Sequence, residues 1–300
     1  MTQIGHTPGG IVMNCRASSH QFGDRFEVIR QLARTAHSIV DLAFDHDTEQ
    51  LVVIKWLAPT SRGVSLRKAA RAFLHEIMMT KVIAALSPDS DKKRYFPQFI
   101  TMGKIAGKPP RYFFVESYLD GETLDSILAA GRPADALQIA RNLCHVLRIL
   151  HANGIVHGDL HPRNIIVKND GNVSLIDFGL SRRRGQVVPE LADIGRPGYT
   201  PPEQLEGGAI DERSDFFALA QVLDDLLAVE TLPSNLQRLI NLMREPLVAR
   251  RQVNLASLQA ELAELQRSIE LQQLQPRFLK VLLVVSIVII LVFYLAFLYR

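Results

Sequence analysis

Short β-rich runs come first along the chain. Phe26–Ala33 and Ile39–Phe44 are joined by a small-residue turn, and Leu51–Trp56 is a third apolar strand, so the opening pattern predicts an antiparallel sheet. From Ser65 to about Leu86 the period lengthens, with Leu66, Ala69, Ala70, Phe73, Ile77 and Val82 recurring at helical intervals. Arg111–Tyr118 reads as a buried strand, after which Asp120, Gly121 and Glu122 mark a turn into helical stretches that continue to about His151. Two short apolar runs, Asn164–Val167 and Val173–Ile176, flank Asn169, Asp170 and Gly171 as a hairpin, and beyond Glu203 the pattern is mostly helical. Strands first and helices later, with no internal repeat, predict an α+β chain of two lobes.

The end of the chain behaves differently. Val281–Tyr299 carries no charged residue, which is long enough at ~1.5 Å per residue to cover the roughly 30 Å hydrocarbon core of a bilayer. Tyr294 and Tyr299 fit interfacial anchors. Arg267, Arg277 and Lys280 precede the span and Arg300 follows it, a bias that places the preceding domain in the cytoplasm. The expectation is a single-pass, tail-anchored membrane protein. Just upstream, Leu255, Leu258, Leu262, Leu265 and Ile269 alternate at intervals of three and four. That seam suits either a last helix packed on its own domain or a weak homodimer contact, and so short a seam favours the first.

Composition narrows the classes. The 300 residues are 47% hydrophobic, enough for a sizeable core, and 34 basic against 31 acidic residues give a net charge of +3, too small a field to imply nucleic acid. Cys15 and Cys144 form neither a disulfide framework nor a metal-ligand spacing. The stretch 1–23 lacks the apolar core of a secretory signal and reads as a flexible leader.

The candidate chemistry is concentrated in His157-Gly158-Asp159-Leu160-His161-Pro162-Arg163-Asn164, followed after one hairpin by Asp177-Phe178-Gly179. This order resembles the catalytic loop and metal-binding triplet of the eukaryotic-like (Hanks-type) serine/threonine protein kinases. Val52-Val53-Ile54-Lys55 resembles the strand whose lysine binds ATP phosphates, and Pro201-Pro202-Glu203 resembles the end of an activation segment. The resemblance covers about Asp24 to Leu265. It implies a bilobal protein-kinase-like fold, with an N-lobe of about 24–116 holding an antiparallel sheet and one helix, and a mainly helical C-lobe of about 117–265. A juxtamembrane linker, 266–277, and a transmembrane helix, 278–299, would follow.

By the same resemblance, Asp159 orients the acceptor hydroxyl and Asn164 and Asp177 hold Mg²⁺ on ATP. Lys55 pairs with Glu76, and Val40, Glu116 and Ile166 contact the nucleotide; His161, which replaces the family's lysine near the catalytic aspartate, suits either a donor to the transferring phosphate or a ring packed beside Pro162. Asp215 braces the catalytic loop, and Glu203 pairs with either Arg250 or Arg251. The implied activity is transfer of the ATP γ-phosphoryl to serine or threonine of a protein partner.

The chain departs from the family pattern at several places. Ala33, Thr35 and Ser38 stand at the three glycine positions of the phosphate-covering loop, with His37 near its tip, and Val53 replaces a small alanine. These changes favour a rival reading, a pseudokinase that binds or scaffolds with little turnover. Gly158 stands where an arginine would receive an activation-loop phosphate, and Ser181 is the one hydroxyl residue between Gly179 and Gly195, so activity is expected without loop phosphorylation. The His-Gly-Asp order also resembles small-molecule phosphotransferases of the wider superfamily, a third reading.

Overall fold

The structure, a computed structural model, describes residues 21–22, 25–34, 38–58, 66–87, 95–106, 110–131, 135–187, 196–228, 232–272 and Ser286. These residues fall into two compact units, one drawn from Met1–Ala70 and Ile100–Tyr118, the other from Arg71–Phe99 and Leu119–Arg300.

The first unit is built on β1 (Gln21–Phe22), β2 (Phe26–Arg34), β3 (Ser38–Asp45), β4 (Gln50–Leu57), β5 (Phe99–Ile105) and β6 (Arg111–Ser117). They form a six-stranded sheet in the order β1-β2-β3-β4-β6-β5, and the pairs from β1 to β4 and between β4 and β6 are antiparallel. The three early strands and the 111–118 strand lie where their β-rich runs predict them. β5 has no counterpart in the sequence reading, because Phe99–Ile105 is half-exposed and interrupted by Gly103 and Lys104, so it shows neither a clean alternation nor a continuous apolar run. One face of the sheet buries Phe26, Ala43, Val52, Ile54, Trp56 and Val115 as a small core. The β4–β6 register sets Val53 opposite Glu116 and Lys55 opposite Phe114, while Val40 on β3 faces Lys55.

Helix α1 (Leu66–Ala84) follows β4 as expected. Its buried stripe is Ala69, Phe73, Ile77, Met79 and Ile83 rather than one running through Val82, which is exposed. From Arg71 onward α1 belongs to the second unit and not to the sheet, because Met79 and Ile83 pack into that unit's core with Phe96 and Phe178.

The second unit continues with β7 (Glu122–Thr123), α2 (Leu124–Ala129), α3 (Ala136–Ala152), β8 (Ile155–Val156), a 3₁₀ turn Pro162–Asn164, β9 (Ile165–Val167) and β10 (Val173–Leu175). It ends with β11 (Arg182–Arg183), α4 (Pro202–Leu205), α5 (Glu212–Leu227), α6 (Ser234–Met243) and α7, residues 255–272. Asp135 and Asp211 cap α3 and α5 by accepting from the backbone N–H groups of Gln138 and Arg213. The predicted hairpin is β9–β10, with Ile166 opposite Ser174, although Asn164 itself sits in the 3₁₀ turn. The core of this unit is made by the apolar stripes of α3, α5 and α6.

Leu255, Leu258 and Leu262 of α7 are buried in that core, with Leu265 and Ile269 packed against it. The seam is therefore the inner face of the domain's own helix. The helix continues through 272, so the described part of the expected linker 266–277 is helical. Among the described residues no helix is long and apolar enough to cross a membrane, and apart from Ser286 the predicted span lies outside the described residues. The leader before Gln21 and the turn residues Thr35 and His37 lie outside them too.

Candidate functional site

The loop from His157 to Asn164 is held from below by α5. Asp215, buried in that helix, accepts from the backbone N–H of His157 at 2.8 Å and of Gly158 at 2.9 Å, and from His151 Nε2 at 2.8 Å. Burial works to raise the Asp215 pKa, but the His151 bond and the backbone donors outweigh it and hold the carboxyl below its ordinary value. Gly158 has φ +75°, and a Cβ there would lie 2.7 Å from the Leu180 carbonyl oxygen. Glycine is thus the residue that this backbone accommodates without strain. The Gly158 carbonyl accepts from Gln204 Nε2 at 2.9 Å.

Asp159 is fixed by Asn164, whose Nδ2 donates to the Asp159 carbonyl oxygen at 2.9 Å and to its Oδ2 at 3.3 Å. Desolvation pushes this carboxyl up, yet His161, His157 and Arg196 together hold it below the usual range, so it is an ionised acceptor at neutral pH. His161 is buried, its Nδ1 accepting from the Arg163 backbone N–H at 3.2 Å. That bond leaves the proton on Nε2, which lies 3.6 Å from Asp159 Oδ2 and makes no hydrogen bond among the described residues. The His161 ring meets Tyr199 edge-on at 6.3 Å.

The hairpin carries the next group. Ile176 N–H donates to the Asn164 carbonyl oxygen at 3.1 Å, which ties the residue before Asp177 to the end of the loop. Asp177 has φ +66°, a left-handed conformation that aspartate tolerates better than most residues, and its Oδ1 accepts from Gly179 N–H at 3.3 Å. Phe178 is fully buried against Phe96 and His157. The buried Glu76 of α1 stands beside this triplet, since a Cβ built on Gly179 would lie 3.8 Å from Glu76 Oε2. Ile166, also expected at the site, is buried on β9.

Two further residues escape a reading by motif. His75 on α1 donates a ring N–H to the Ser181 carbonyl oxygen at 2.7 Å, and Ser181 Oγ donates to the His157 carbonyl oxygen at 2.8 Å, so the segment after Gly179 is tied to both α1 and the loop. A histidine in a helix and a buried serine give no local signal of that role. Downstream, the choice between Arg250 and Arg251 is decided for Arg251, which is fully buried and grips Glu203 through Nη1–Oε1 at 2.7 Å and Nη2–Oε2 at 2.8 Å. Arg250 is exposed, 3.9 Å from Glu245. Cys144 is buried in α3 and its thiol is pushed up to about 12, which keeps it protonated and unreactive.

Val40, Lys55 and Glu116 belong to the first unit. Lys55 Nζ is 3.3 Å from Glu116 Oε1, and the two side chains are 7% and 4% exposed. Glu116, expected to contact nucleotide, is therefore also an ion-pair partner of Lys55.

Among known proteins, the family model described as the protein kinase domain matches residues 26–282. The serine/threonine-protein kinase PknB of Mycobacterium leprae is 35% identical over 127 residues, which is 40% of this chain and 20% of that protein. Myosin light chain kinase A of Dictyostelium discoideum is 28% identical over 208 residues, covering 67% of this chain and 66% of that protein. The matched region thus spans about a fifth of the PknB relative's length. The match to the family model over most of the chain, on an antiparallel sheet unit and a helical unit that carries the loop and the triplet, shows that this chain belongs to the protein kinase domain family.

Proposed function

We propose that the chain is an active kinase that moves the γ-phosphoryl group of ATP to a serine or threonine hydroxyl of a protein partner. The observation that carries this reading is Asp159: an ionised carboxylate pinned by Asn164 on a loop whose backbone is clamped by Asp215. In that position it accepts the hydrogen bond of an incoming hydroxyl, orients its lone pair and takes its proton as transfer proceeds. Lys55 supplies a cation for the phosphates, and His161 Nε2–H is a donor for a phosphoryl oxygen.

The donor set also suits Mg²⁺. Among the described residues no group of three or more His, Cys, Asp or Glu is gathered as a metal cage. Asn164 spends its amide N–H groups on Asp159, which leaves its oxygen as a hard ligand, and the carboxylate of Asp177 supplies a second. One or two protein oxygens, with phosphates and water completing the shell, is how this ion is commonly held. When bound, Mg²⁺ would neutralise charge on the phosphates, and Asn164 and Asp177 would hold it.

Independence from loop phosphorylation is part of the proposal. Ser181 is fully buried with its hydroxyl donated to His157, and residues 179–182 are braced by His75 bonded to the Ser181 carbonyl and by Arg182 bonded to the Gly179 and Ser181 carbonyls. Membrane attachment through the uncharged stretch Val281–Tyr299 is proposed on its composition alone. The names of the PknB and myosin light chain kinase relatives favour a protein hydroxyl as acceptor.

The experiment is radiolabel transfer from ATP by the detergent-solubilised full chain, compared with Asp159→Ala and Lys55→Met. Label in the wild type and its loss in both variants is the expected result. Equal label in all three would leave a scaffold reading, which the absent loop glycines favour. Incorporation into a small metabolite and none into protein would redirect the acceptor class.

A further inference from the structure

Side chains two residues apart on a strand share a face, so the β4–β6 register places Val53, Lys55, Phe114 and Glu116 on one side of the sheet. Lys55 and Glu116 are diagonal neighbours there, with Nζ 3.3 Å from Oε1. The ammonium also lies 5.5 Å from the centre of the Phe114 ring. Little water reaches either group, so the local dielectric is low and a charge placed beside the pair feels both members strongly. A lysine that must serve a polyphosphate is therefore already engaged by a fixed carboxylate of its own sheet.

Resting on the reading that Lys55 meets the phosphates of ATP, we infer that Glu116 sets nucleotide affinity by competing with those phosphates for the Lys55 ammonium. A phosphate that takes the amine does so in competition with the Glu116 carboxylate, 3.3 Å from the ammonium, and then sits close to that negative charge. The penalty scales with ligand charge. It is absent for adenosine and largest for the triphosphate, which makes Glu116 a discriminator by charge rather than by shape. It would compound the obstruction that the added Cβ atoms of Ala33 and Ser38 place between the backbone N–H groups and a phosphate.

The test is isothermal titration of the detergent-solubilised full chain with Mg-ATP and, separately, with adenosine, for the wild type, Glu116→Gln and Glu116→Met. Glu116→Gln keeps the shape and removes the charge. Glu116→Met covers the case in which a buried amide disturbs folding, and the melting temperature of each variant verifies its fold. Mg-ATP binding is expected to tighten about tenfold in both variants, from removal of a buried like charge near the phosphates. Adenosine binding should stay within about twofold of wild type, a difference of only a few tenths of a kcal/mol. Unchanged or weaker Mg-ATP binding beside a nucleotide-binding wild type would overturn the inference alone. An equal gain for adenosine would overturn it in favour of a change in pocket shape. If neither the wild type nor either variant binds Mg-ATP or adenosine, the kinase reading falls and this inference falls with it.

Discussion

Replacing Glu203 by alanine strips the fully buried Arg251 of its only carboxylate among the described partners. The guanidinium now makes two charge-assisted bonds to Glu203, at 2.7 and 2.8 Å, and three to backbone carbonyls of Glu245, Pro246 and Arg213. It cannot release its proton to escape the lost counter-charge. Removing one member of such a pair costs about 3–5 kcal/mol, and the surviving carbonyl bonds place this case near the lower end, about 3 kcal/mol. The hydrogen bond from Ser214 Oγ to Glu203 Oε1 at 2.8 Å is lost as well. At roughly 2–4 °C per kcal/mol for a domain of this size, the melting temperature should fall by about 6–12 °C. Thermal unfolding followed by circular dichroism measures it. Arg251→Met should cost a similar amount, since it leaves the carbonyls and Glu203 unserved, and the double variant should be no worse than the poorer single one because both remove the same interaction. A drop under about 2 °C, or single effects that add in the double variant, would refute the claim that this pair holds α4 to the turn before α7.

Two other outcomes follow from the loop geometry. Gly158→Ala meets a positive φ and an oxygen 2.7 Å from its Cβ, so it should destabilise by about 2–3 kcal/mol and reduce transfer, whereas a mutation acting on activity alone would leave the melting temperature unchanged. Asp215 is held below its ordinary value of 3.8 in the folded protein, so the folded state binds fewer protons there than the unfolded chain. Its contribution to stability is fully present above about pH 4 and is lost as pH falls through the folded pKa. Urea unfolding measured from about pH 5 to about pH 3 should therefore show a shallower acid decline for Asp215→Asn than for the wild type. A parallel decline in both would remove Asp215 from the account.

Local pattern determined a great deal about this protein. The β-rich runs of β2, β3, β4 and β6, the helical period of α1 and the hairpin signal of Asn169-Asp170-Gly171 all act between near neighbours, so the residues carry them wherever the chain goes. The nearness of Asn164 to Asp159, and of Asn164 to the residue before Asp177, was legible for the same reason: a short loop and one hairpin separate them. What depended on distant partners was not legible. β5 exists because the sheet offers it an edge, and β8 and β11 are two-residue strands defined only by pairing with each other. Arg250 and Arg251 are adjacent and chemically identical, and only the packing around Glu203 separates the buried one from the exposed one. The requirement for glycine at position 158 comes from a carbonyl of Leu180, brought close by the fold. Glu116 meets Lys55 because antiparallel registry places residues far apart in the chain as diagonal neighbours on one face. Sequence carries periods, turns and spacings, which are short-range; counter-ions, strand partners and close approaches are set by long-range packing, and those waited for the tertiary structure.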